Sequence, residues 1–169
     1  MERSELKWNA KKVVGEHYGT LKLKSGQLTA DKSKVTAGNF VIDMTSITCT
    51  DNAKVGAHLL NGDFFDVAKH PTAVFVITGL KPVTNAVASK LNYNVTGNLT
   101  IKGITNTVTF PAIITVKDGL VTAKADVVLD RTKFDIKYRS SNFFGGLGDK
   151  AILDEFTVAL DVVAQAAAM

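Results

Sequence analysis

The chain carries one cysteine, Cys49, so no internal disulfide can form and one sulfur cannot assemble a thiolate zinc site. Proline is scarce at 3 residues against 13 Gly, and charged residues make up 21% against 46% hydrophobic. That balance excludes a disordered chain and is ordinary for a folded one. No window reaches the roughly 18 apolar residues of a membrane span. The N-terminus, Met1-Glu2-Arg3-Ser4-Glu5-Leu6, lacks the apolar core of a signal peptide. The protein is therefore expected in the cytoplasm, or in the periplasm or outside the cell if a leader has been removed. The net charge of +4 is scattered singly, with no run of Lys and Arg, which argues against nucleic acid as a partner. A modest basic excess of this kind favours at most a transient approach to an anionic membrane surface or lipid head group.

What the sequence does contain is alternation. With 169 residues the chain has the length of one domain, 1–169 with its core at about 6–164. Phe40, Ile42 and Met44 alternate with Val41, Asp43 and Thr45, and Ala73, Phe75 and Ile77 with Val74, Val76 and Thr78. Tyr93, Val95, Gly97, Leu99 and Ile101 continue the pattern, whose period of two marks half-buried strands. Strands are expected near 6–13, 19–24, 27–30, 38–47, 72–82, 91–101, 106–117, 120–130 and 155–164, a succession that predicts an all-β barrel or sandwich. Asp118-Gly119 is the dipeptide of a two-residue hairpin, and Ser25-Gly26 and Lys102-Gly103 read similarly. Helical spacing occurs once, where Asp51 is expected to cap a helix through about Leu60, with Val55, His58 and Leu59 on its apolar face and Asp63 opening a turn at Phe64-Phe65. The segment 137–150 reads as irregular and the alanine tail 166–168 as a frayed end.

Few residues stand out for chemistry. Ala123, Ala125, Val127 and Leu129 share a face that continues to Arg131, and Phe156, Val158, Leu160 and Val162 share one that runs back to Asp154. Arg131 and Asp154 are expected to meet at one end of the interior, either as a structural ion pair or with Arg131 contacting a polar head group. His17, His58 and His70, with Asp63 and Asp66, invite a metal site, but their spacing fits no zinc motif and none is expected. His58 is expected to satisfy loop backbone and His70 to anchor a loop. Ser140-Ser141 lies outside any Gly-x-Ser-x-Gly elbow, and Gly145-Gly146-Leu147-Gly148 lacks the ending of a phosphate loop, so no catalytic residue is expected. Phe64, Phe65, Phe143 and Phe144 sit in irregular segments, as end plugs or as a mobile gate to an apolar pocket.

Several segments together resemble the YceI family of polyisoprenoid-binding, lipocalin-like proteins. They are His58-Leu59-Leu60-Asn61-Gly62-Asp63-Phe64-Phe65-Asp66-Val67, His70-Pro71-Thr72-Ala73-Val74-Phe75, Gly97-Asn98-Leu99-Thr100-Ile101-Lys102-Gly103, Asp130-Arg131-Thr132-Lys133-Phe134 and Leu147-Gly148-Asp149-Lys150. The resemblance implies an extended, lipocalin-like antiparallel β-barrel whose tunnel binds isoprenoid quinones, polyprenyl chains or similar amphiphiles, without a catalytic set and with many relatives periplasmic. Phe40, Ile42, Met44, Phe75, Tyr93, Val95, Val127, Phe156 and Val158 are then expected to line the tunnel of a non-catalytic carrier or store, monomeric or homodimeric. No cofactor is expected beyond a bound isoprenoid-type lipid. The alternatives are a lipid-modifying enzyme that uses the barrel as a shielded chamber, or a stress-response domain with a packed core.

Overall fold

The computed structural model describes residues 4–13, 15–31, 34–83 and 93–168. Among these residues the strands are β1 (Glu5–Lys12), β2 (Glu16–Asp31), β3 (Lys34–Cys49), β4 (Thr72–Pro82), β5 (Tyr93–Ile101), β6 (Ile104–Lys117), β7 (Leu120–Asp130) and β8 (Ile152–Ala168), with one helix, α1 (Ala53–Leu59), between β3 and β4. Each strand pairs antiparallel with the next, and β8 returns to pair with β1, closing an eight-stranded barrel. Among the described residues every strand thus has a partner on both sides, with the shortest antiparallel ladders between β3 and β4, Asn39–Asp43 against Thr72–Val76, and between β6 and β7, Ile113–Lys117 against Leu120–Lys124.

β1 is half the length of its two neighbours. Both β2 and β8 run antiparallel to β1, so beyond its start they travel in the same direction and meet. They pair in parallel there, Leu28 with Ala166 through Ala30 with Ala168. The alanine tail is accordingly strand rather than a frayed end.

The hairpin dipeptides separate into two kinds. Asp118 and Gly119 have φ of 52° and 77°, and Lys102 and Gly103 of 54° and 76°. Two successive positive φ values make the tight turn whose twist suits antiparallel neighbours, and the flanking residues Ile101–Ile104 and Lys117–Leu120 pair directly. Ser25-Gly26 does not turn. It lies inside β2, where a register shift between Leu23 and Ser25 lets one strand continue past a bulge, so the expected strands 19–24 and 27–30 are a single element. The expected start of β5 at residue 91 lies outside the described residues.

α1 is capped by Asn52, whose side chain accepts from the N–H groups of Lys54 and Val55 at 3.0 and 3.3 Å. Asp51, the cap expected from the sequence, is instead drawn back to β2. Likewise it is Asn61 that accepts the Asp63 N–H in the turn before Phe64, at 2.9 Å. Leu59 is buried and Val55 packs against the core beside it, while His58 stands at the margin.

Candidate functional site

The inner faces of the strands enclose a cavity of about 160 Å³ with a wholly apolar wall. Phe40, Ile42 and Met44 enter it from β3, Phe75 from β4, Val95 from β5, Val127 from β7, and Phe156 and Val158 from β8. Phe65 joins them from the turn after α1. The pleat explains the grouping: alternate residues of each strand point inward, and closure makes all the inward faces converge. Three strands from which the sequence reading named no wall residue also contribute. Leu6 comes from β1, Leu21 and Leu23 from β2, and Val108, Phe110 and Ile114 from β6. The β6 alternation was present in the sequence, whereas Ser25-Gly26 obscured that of β2.

A smaller cavity of about 70 Å³ lies toward the end covered by α1 and the segment after β7. Trp8, Leu59, Phe64, Ile136 and Arg131 border it, and Leu21, Phe65 and Phe156 border both cavities. Tyr93 is half-buried beside the core but outside both walls. Phe143 and Phe144 are 50% and 52% exposed and border neither cavity. Phe143 instead lies 4.8 Å from the Lys137 ammonium. They neither plug the end nor gate the chamber in this conformation.

Arg131 opens a 3-10 helix, Arg131–Phe134, directly after β7, and is only 5% exposed. Its Nε donates to Leu153 O at 3.1 Å, Nη1 to Ile136 O at 3.0 Å and Nη2 to Ile152 O at 3.0 Å. Asp154 Oδ1 stands 3.9 Å from Nη2, so the two meet as the strand parity predicts. Burial pushes the guanidinium below its ordinary pKa, opposed by Asp154 and Asp130. Asp154 is held in turn by Ser140, whose Oγ donates to it at 2.6 Å, and by the Asn142 amide. The fully buried Ser140 thus faces a carboxylate rather than an imidazole, which is no arrangement for a nucleophile.

The three histidines lie in three different places. His58 Nε2 is 2.8 Å from Asp63 Oδ2, and its ring meets Phe64 and Tyr138 edge-on, each at 4.9 Å. It bonds a side chain, not the loop backbone expected of it. His70 joins the loop through its backbone N–H, which donates to Asp66 O at 2.9 Å. His17 Nδ1 lies 2.7 Å from Asp51 Oδ2, and Asp51 Oδ1 accepts from the Cys49 thiol at 3.1 Å and from Tyr18 N–H at 3.1 Å. Hydrogen bonds from Cys49 and then His17 hold the Asp51 carboxyl well below the usual carboxylate range.

Comparison with known proteins agrees with this architecture. The profile of the YceI-like domain matches residues 1–164. A UPF0312 protein of Pseudomonas putida is 36% identical over 96 residues, 56% of this chain and 47% of that protein. A UPF0312 protein of Pseudomonas aeruginosa is 39% identical over 84 residues, 50% of this chain and 38% of its own length. The chain's match therefore spans less than half the length of these curated relatives. Among solved structures, BcnA of Burkholderia cenocepacia superposes with a TM-score of 0.76 at 24% identity, over 97% of this chain and 98% of its own. A polyisoprenoid binding domain from Saccharophagus degradans gives 0.70 at 14% identity, over 97% and 94%. With the barrel, the matched profile and these relatives in agreement, the chain belongs to the YceI-like family.

Proposed function

We propose that the barrel binds the tail of a long-chain isoprenoid-type lipid, such as a quinone or polyprenyl compound, and stores or carries it without acting on it. The observation that carries this reading is the chamber of about 160 Å³ whose wall offers no polar side chain. Its size is close to that of the engineered void of about 150 Å³ which stays dry and accepts apolar guests. Each buried methylene contributes roughly 0.8 kcal/mol, so affinity comes from the tail and little is asked of the head group. A wall without acid or base supports binding over chemistry. The Saccharophagus degradans relative, named for polyisoprenoid binding, supports the same ligand class.

A chamber below the roughly 300 Å³ of ordinary ligand sites admits part of a long chain at once, and a longer stretch enters as wall side chains swing aside. A carrier of this kind belongs in a compartment bordered by lipid bilayers, and the periplasm is the location we propose.

Native mass spectrometry of the purified protein, with organic extraction, tests the proposal. A retained lipid in stoichiometric amount is the expected result and identifies the ligand class. If nothing is retained, and added quinones, polyprenols and fatty acids leave the protein's mass unchanged, the proposal fails.

A further inference from the structure

The register between β2 and β3 assembles a cluster that the spacing of the residues hides. Gly19 pairs with Cys49, and the Thr50 N–H donates to Tyr18 O at 2.8 Å. Two residues beyond the Gly19–Cys49 pair, His17 therefore faces Asp51, and period-two alternation places Asp51 on the same face as Cys49. The consequence is three donors of different kinds in one place. His17 Nδ1, Cys49 Sγ and an Asp51 carboxylate oxygen all lie within 4.8 Å of one another. Among the described residues this is the one such convergence.

An imidazole nitrogen, a single thiolate and a carboxylate oxygen form a mixed set that suits zinc and similar borderline divalent cations. Sulfur count excludes a site built on thiolates; it does not exclude one in which nitrogen and oxygen supply the other positions. The donors are held in advance. Asp51 is fixed by the Tyr18 N–H at 3.1 Å, and Cys49 is buried at the end of β3 where α1 packs. Asp51 is exposed and His17 partly so, which leaves the solvent side open for an ion to enter and for water to complete its shell.

We propose that His17, Cys49 and Asp51 form a binding site for one divalent cation of the zinc class, with solvent filling the remaining coordination. Three bonds form, to Nδ1, Sγ and a carboxylate oxygen, and the hydrogen bonds among these groups break. The thiol proton passes to solvent, and the neutral imidazole moves its single proton from Nδ1, where it faces Asp51 Oδ2, to Nε2. A coordinated cation favours the thiolate over the thiol. A bound ion ties β2 to β3 at the point where the chain leaves the sheet for α1. This site is independent of what the barrel interior holds.

The test is titration of the reduced, full-length protein with Co²⁺, followed by its displacement with Zn²⁺. One Co²⁺ per chain should bind with the near-ultraviolet charge-transfer band of a cobalt thiolate, with one proton released. Cys49→Ser should abolish the band, and His17→Gln and Asp51→Asn should each weaken binding by about tenfold or more, an effect at least as large as losing an outer-shell partner. Circular dichroism establishes that each variant is folded. If Cys49→Ser does not fold, the other two variants decide. No thiolate band at saturating Co²⁺, or a band whose affinity His17→Gln and Asp51→Asn leave unchanged, overturns the site.

Discussion

Arg131 and Asp154 are neighbours in charge but not partners in hydrogen bonding: their nearest atoms are 3.9 Å apart, while the guanidinium donates to the carbonyls of Leu153, Ile136 and Ile152. Arg131 thereby stitches the segment after β7 to the start of β8. Arg131→Ala strands those carbonyls and leaves Asp154 without its counter-charge, and is expected to cost about 3–5 kcal/mol in urea unfolding. Asp154→Asn keeps polar partners in Ser140 and Asn142 and is expected to cost only about 1–2 kcal/mol. An equal loss in both would show that the charge, not the carbonyl bonding, carries the stability.

Phe65 and Phe156 divide the interior, since each borders both cavities. Removing the Phe65 ring should join the two spaces. Phe65→Ala is expected to cost roughly 3 kcal/mol, at the low end for deletion of a core phenylalanine because the ring is only partly buried and already borders empty space. In the lipid extraction assay the variant should shift toward longer or bulkier chains.

Ala123 offers the converse experiment, since its methyl faces the larger cavity. Ala123→Leu fills empty volume without adding a polar atom and should raise stability by about 0.5–2 kcal/mol. Retention of lipid should fall in the same variant. More stable protein with undiminished retention would place the ligand outside this chamber.

Gly19 permits the close approach of β2 to β3. A Cβ at this position would lie 1.7 Å from Thr48 O and 2.8 Å from the Trp8 indole nitrogen, which itself donates to Thr48 O at 2.8 Å. Gly19→Ala must displace strand backbone, so a loss of about 3 kcal/mol is expected by thermal or urea denaturation.

Asp51 links stability to acid. Its carboxyl lies below the usual range in the folded protein, so the folded state favours the ionised form. The stability it contributes is fully present above the unfolded carboxylate pKa of about 3.9 and is lost as the pH falls below it. The difference between wild type and Asp51→Asn should therefore be constant near neutrality and shrink progressively below about pH 4. A difference that stays constant through that range would mean the carboxyl is not held by Cys49 and His17.

Much of this protein was legible in sequence because a strand's side chains alternate with a period the pleat dictates. The parity that aligns Val127 with Arg131 and Phe156 with Asp154 needs no knowledge of the neighbouring strand, and it correctly brought those two charges together. Ser25-Gly26 misled for a related reason: a turn and a bulge use the same residues, and only the partner strand decides between them. Asp51 and Asn52 are both good helix caps, and His17 on β2 drew Asp51 away from that role.

The sequence by itself determined that the chain would form strands, where its tight turns at Asp118-Gly119 and Lys102-Gly103 fall, and which side chains of β3, β4, β7 and β8 point inward. Those properties depend on local sterics and a two-residue repeat. Tertiary structure alone decided that the inward side chains leave a chamber unfilled, that Phe143 and Phe144 face solvent, and that His17, Cys49 and Asp51 converge. Each of these depends on register and closure among strands distant in sequence, which no single strand's pattern specifies.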